Sequence, residues 1–184
     1  MTRATPPTAN ALISAARTDL CLEYANTRYW RGADEPTESF KSLSDLIDWC
    51  AREAFAPNAI ETLKAWWATH AEDAPAALAE AIALREALYR IFTAVAERQA
   101  PARADLDLFN RALEAAPART HLASQDGAYL WRVDDLNPTI PHLLTPVLWT
   151  AGDLLVEPRR DRVRRCGNEK CVWLFLDDSK SGTR

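Results

Sequence analysis

The stretch Pro75 to Gln99, PAALAEAIALREALYRIFTAVAERQ, has no glycine and no proline after its first residue. Leu78, Ile82, Leu88, Ile91, Phe92 and Val95 recur in it at helical spacing, and its alanine content adds intrinsic propensity to the pattern. A helix of that length needs partners to cover its apolar stripe, so the rest of the chain must supply a helical body around it.

The flanking segments do so. Ser42 or Ser44 can cap a helix carrying Leu43, Leu46, Ile47 and Cys50. Pro57 at a first helical position opens another, with Ile60, Leu63, Trp67 and His70 on one side. Pro101 precedes a third, with Leu106, Phe109, Leu113 and Ala116 in register, and Pro117 closes it. From Thr139 helical spacing returns through Leu144, Val147, Leu148, Ala151, Leu154 and Leu155, with Pro146 near its first turn. The segment around Leu20, Leu22 and Tyr24 is a helix, or an extended piece leading into one.

Between these helices RTHLASQDGAYLWRVDD alternates about an Asp126–Gly127 turn, with Tyr129, Trp131 and Val133 pointing one way. Glycine supplies the positive φ of the turn, so the pattern predicts a β-hairpin. Val172–Leu176 reads as a strand, expected to pair with that hairpin. The fold class is α+β, mostly α-helical: a bundle-like body, 1–157, with one hairpin, then a tail, 158–184, ending in a short strand.

The two parts differ in charge. From Pro158 onward eight Lys/Arg face four acids, so the tail carries +4 and residues 1–157 carry −8 of the net −4. Arg159, Arg160, Arg162, Arg164 and Arg165 are candidates for phosphate contacts; the same run is compatible with simple solvation. No run is long and apolar enough to span a membrane. The first residues lack a signal-peptide core, and four cysteines without one point to a reducing cytoplasm.

Cys166 and Cys171 bracket Gly167–Asn168, a pair suited to a tight turn. Thiolates are strong zinc ligands, yet a lone C-x4-C is more often two free thiols. Cys21 and Cys50 lie in apolar helical contexts, where a buried thiol is the commoner role. His70, His121 and His142 are scattered, and no nucleophile motif, glycine-rich phosphate loop or H-E-x-x-H accompanies them. Asp134–Asp135 and Asp177–Asp178 are adjacent pairs that point apart. Nothing here assembles an enzyme. Most of the tryptophans should be core. Asn26, Thr27, Arg28, Tyr29, Trp30 and Arg31 could line a small-ligand site. The favoured reading is structural, with Asn26 and Thr27 satisfying backbone groups where the chain turns.

Two motifs carry a family resemblance. RVRRCGNEKCVWLFLDDSKSGTR resembles the opening of the CGNR-type zinc finger of bacterial transcription regulators, in Arg164, Arg165, Cys166, Asn168, Cys171, Trp173, Phe175, Asp177 and Ser179. DLCLEYANTRYWRG followed by SLSDLIDWC resembles the regulatory ABATE domain that precedes that finger, through Leu20, Leu22, Tyr24, Asn26, Thr27 and Trp49, with Glu23 where the family has Asp. The resemblance implies a stress-responsive regulator with a sensor body, a small-molecule effector, Zn2+ on Cys166 and Cys171 where a second cysteine pair is supplied, and DNA as partner, bound weakly or not at all by residues 1–184 alone. Symmetric homodimers are the general expectation for such regulators. The family's second cysteine pair does not follow in this sequence. Either the reading frame continues past Arg184 into it, or the finger is a remnant. The alternative function is a ligand-binding or protein-interaction module that never contacts DNA.

Overall fold

The computed structural model describes residues 9–13, 17–53 and 57–179. The chain begins with β1 (Ala9–Ile13) and α1 (Leu20–Ala25), then a two-stranded ribbon of β2 (Arg28–Tyr29) and β3 (Thr37–Glu38). Helices α2 (Leu43–Glu53), α3 (Pro57–Thr69), α4 (Ala74–Ala96) and α5 (Arg103–Ala115) follow. The hairpin is β4 (His121–Gln125) and β5 (Ala128–Leu136). Then come α6 (Ile140–Leu143), α7 (Thr145–Val156), a 3-10 turn over Pro158–Arg162, β6 (Val163–Arg165) and β7 (Leu174–Leu176).

Ser42 and Asp45 start α2 with a reciprocal cap. Ser42 N–H donates to Asp45 Oδ2 at 2.8 Å, and Asp45 N–H donates to Ser42 Oγ at 3.3 Å. The expected single helix after Thr139 is broken at Leu144, because Pro146 has no N–H and its ring would clash with the carbonyl of His142 one turn back.

Helix α4 is the axis of the body. Its buried stripe runs through Ala77, Ala81, Leu84, Arg85, Leu88, Ile91 and Phe92, and packs on α1, α2, α5 and the tail strands. Ile82, expected on that stripe, lies only at its margin. Leu20, Leu22, Leu46, Ile60, Leu63, Val147, Leu148 and Leu154 complete one core, which also includes Val163 and Leu174 of the tail. Of the tryptophans, Trp49 and Trp149 are buried, Trp66, Trp67, Trp131 and Trp173 are half-buried, and Trp30 is exposed.

The hairpin closes on the Asp126–Gly127 turn and pairs with β1, giving the antiparallel order β1-β5-β4. The tail strand does not join it. β7 pairs with β6, with Val163 opposite Leu176 and Arg165 opposite Leu174. The strand also starts two residues later than expected, since Val172 has φ 48° and cannot belong to a ladder. Among the described residues no helix is long and apolar enough to cross a membrane.

Candidate metal-binding knuckle and its seat on the body

β6 leads into Cys166, and the chain returns through Cys171 to β7. Cys166 N–H donates to Trp173 O at 2.8 Å, closing the base of this knuckle. Asn168 shapes its tip. The Asn168 carbonyl accepts from Cys171 N–H and Val172 N–H, both at 3.0 Å, and its Oδ1 accepts from Lys170 N–H at 3.0 Å. Gly167 has open space around it and a φ that any residue could adopt, so the turn is Asn168's work.

The body holds the knuckle at several points. Asn26, at the end of α1, gives its Nδ2 to Leu174 O at 2.7 Å and accepts Leu174 N–H at 3.0 Å. Tyr89 of α4 donates its hydroxyl to Val172 O at 2.8 Å, supporting the strained residue. Gly32 N–H donates to Lys170 O at 3.2 Å, and a Cβ on Gly32 would stand 1.8 Å from Glu169 O. Tyr29 stacks on Trp173 with centroids 5.4 Å apart.

A charged network lies behind this seat. Arg85, 1% exposed, grips Glu38 with two 2.6 Å bonds and also reaches Glu86. Arg31 donates to both Glu86 oxygens at 2.6 and 3.0 Å and to Ala25 O at 2.8 Å, and its guanidinium lies over the Tyr89 ring. Burial alone would raise the Glu38 and Glu86 carboxyls, but the arginines outweigh it and hold both below the ordinary range. The sequence pattern missed Arg85, because it sits in an otherwise apolar stripe. Its partner Glu38 is remote in sequence, on a two-residue strand.

The residues grouped as Asn26 to Arg31 therefore have different placements. Asn26 and Tyr29 touch the knuckle, whereas Arg31 lies in the charged network behind it. Thr27 Oγ1 donates to Tyr24 O at 2.7 Å, a local bond where the helix ends. Arg28 lies on β2, opposite Glu38. Trp30, with φ 52°, is exposed.

The tail arginines fall into two groups. Arg159 pairs with Asp178 at 3.0 Å and Arg165 with Glu97 at 2.7 Å. Arg162 and Arg164 instead reach the backbone carbonyls of Asp177 and Asp161, and Arg160 reaches Leu155 O at 3.3 Å and the Asp161 carboxylate at 3.8 Å.

Cys166 and Cys171 are half-exposed free thiols. A closed zinc site needs four ligands, and among the described residues no cluster of three or more His, Cys, Asp or Glu could hold a metal. The donor chemistry suits zinc, but the described residues present half of a site and do not by themselves fit the ion. Cys21 and Cys50 cannot complete it: both are fully buried, and burial pushes the Cys21 thiol up to about 12 and Cys50 higher still.

A separate cleft of about 500 Å³ lies between α2 and α3, lined by Leu43, Ile47, Trp67 and Ala71. An ion pair between Lys64 and Asp48, 2.9 Å long, borders it. His70 stacks on Trp66, His142 bonds to Asn137, and His121 is exposed.

The family model of ABATE, described as "putative stress-induced transcription regulator", matches residues 18–158. That of the CGNR zinc finger matches residues 162–184. No curated protein matches the chain.

Proposed function

Since the chain belongs to the ABATE family, we propose that it is a transcription regulator that couples a sensing helical body to a DNA-contacting finger. The observation that carries this reading is the seat of the knuckle. Asn26, Tyr89 and Gly32 of the body all bond to backbone atoms between Lys170 and Leu174, a direct route by which a shift of these body residues would reach the thiols and the adjoining arginines. An apolar effector would have room between α2 and α3. Phe40, two residues before the α2 cap, donates its N–H to Glu38 Oε1 of the network at 2.9 Å.

In this reading Cys166 and Cys171 would hold zinc together with two ligands from another segment. When bound, the ion would fix the knuckle as a structural cross-link. Arg162 and Arg164 would meet DNA phosphates, joined by Arg160, whose ion pair with Asp161 is long at 3.8 Å, whereas Arg159 and Arg165 are tied more closely to carboxylates. Such contacts position a protein on DNA without reading its sequence.

The test measures zinc content and DNA affinity against salt. It uses the 184-residue chain and a chain extended through the following reading frame. Stoichiometric zinc and a steep salt dependence in the extended chain support the proposal. Each phosphate-contacting arginine replaced by alanine should then lower the slope of log affinity against log salt by about 1. Zinc-loaded protein without DNA affinity at low salt would favour the protein-interaction alternative.

A further inference from the structure

We propose that the protein self-associates through β4, which pairs antiparallel with β4 of a second copy. β4 is an edge of the β1-β5-β4 sheet. Asp126 and Gly127, with φ 51° and 78°, form a two-residue turn between Gln125 and Ala128. In such a hairpin the flanking pair exchanges both hydrogen bonds, and the pattern then alternates. The N–H and C=O groups of Leu122 and Ser124 therefore point outward, and neither has a backbone partner there among the described residues. The strand, HLASQ, carries no lysine, acid, proline or bulge, the devices that normally protect an open edge.

The face of this edge is apolar. Leu122 lies opposite Trp131, and Tyr129 opposite Ser124, on the same side of the sheet as Val133 and Ile13. Val133 and Ile13 are buried, whereas Leu122 is 60% and Tyr129 77% exposed. The core-covering face thus runs on past the body with nothing beneath it among the described residues.

Charge at the strand ends selects the occupant. Arg119 precedes the strand and Asp126 follows it. An antiparallel copy centred on Ala123 sets Arg119 beside the partner's Asp126–Gly127 turn, twice. A parallel copy would set like against like. Arg119 also grips Asp153, but its side chain remains 33% exposed. In this register Leu122 exchanges both backbone bonds with the partner's Ser124. The small Ser124 leaves room for Tyr129 to approach the partner's Leu122, and the product is a two-fold symmetric sheet of six strands.

Sedimentation analysis of the full chain over a range of concentrations tests this. A monomer–dimer equilibrium is expected, with Leu122→Lys raising the dissociation constant at least about tenfold while circular dichroism is unchanged. Ala123→Cys should give a disulfide-linked dimer on mild oxidation, beyond any from the native thiols, because the two Ala123 face each other in a close non-hydrogen-bonded pair. Gln125→Cys should not. A monomer at every concentration overturns the proposal. So does a dimer indifferent to Leu122→Lys, or equal cross-linking at 123 and 125.

Discussion

Asn26 and Leu174, 148 residues apart, exchange two hydrogen bonds, amide to carbonyl at 2.7 Å and N–H to amide oxygen at 3.0 Å. The side chain of Asn26 acts as one residue of a third strand beside β7. An asparagine amide can do this because it offers a donor and an acceptor with peptide-like spacing. Both residues are almost fully buried, so no water can take over the role.

Asn26→Ala should therefore cost about 2–4 kcal/mol, since it leaves a buried N–H and a buried C=O unpaired. Asn26→Asp should be worse, as its carboxylate would face the Leu174 carbonyl. Urea unfolding gives the cost. Hydrogen exchange at the Leu174 amide should accelerate in both variants beyond the global change. An exchange rate that only tracks global stability would show that Asn26 does not hold the knuckle.

Much of the helical body was legible in the sequence, because Pro57, Pro101 and Pro117 mark helix ends and the apolar spacing between them is regular. The hairpin was legible through Asp126–Gly127. The partner of the tail strand was not. Val163–Arg165 is a three-residue strand with two arginines and no alternation to read. Nor could Asn26 be matched to Leu174, since a side chain that pairs with a distant backbone leaves no periodic trace. Arg85 failed for a related reason: a buried charge is specified by its partners Glu38 and Glu86, not by its own position in a stripe.

Gly32→Ala should displace the knuckle. The new Cβ would lie 1.8 Å from Glu169 O and 3.3 Å from Lys170 Cα, both backbone atoms that cannot rotate away. We expect a loss of about 1–3 kcal/mol. Faster exchange should be confined to residues around Cys166 to Leu174, with the α4 amides unaffected. Uniform loss of protection would mean that the knuckle and body unfold as one unit.

Stability should fall in acid through Glu38 and Glu86. Their folded carboxyls titrate below the ordinary glutamate value of about 4.3. The stabilisation is complete above that value and is lost as pH drops through the depressed one. Glu23 and Glu80, raised by burial, act with the opposite sign. Thermal unfolding against pH should show a net acid limb. Glu38→Gln should lower stability at neutral pH and flatten that limb. An unchanged limb would place the acid sensitivity elsewhere.

The four thiols should separate cleanly by reactivity. A thiol reacts as its thiolate, and reaction also requires access. Cys21 and Cys50 fail on both counts, being wholly buried with burial pushing their thiols well up. Cys166 and Cys171 are half-exposed at the knuckle. Brief alkylation of metal-free native protein, followed by peptide mass spectrometry, should label Cys166 and Cys171 alone. Cys21 and Cys50 should label only after unfolding in urea. Asn26→Ala should speed labelling at the knuckle pair without exposing the core pair, because it loosens the seat and leaves α1 and α2 in place. Labelling of Cys21 or Cys50 in the native chain would mean that the body opens locally. Any metal titration would then have to count four candidate ligands instead of two.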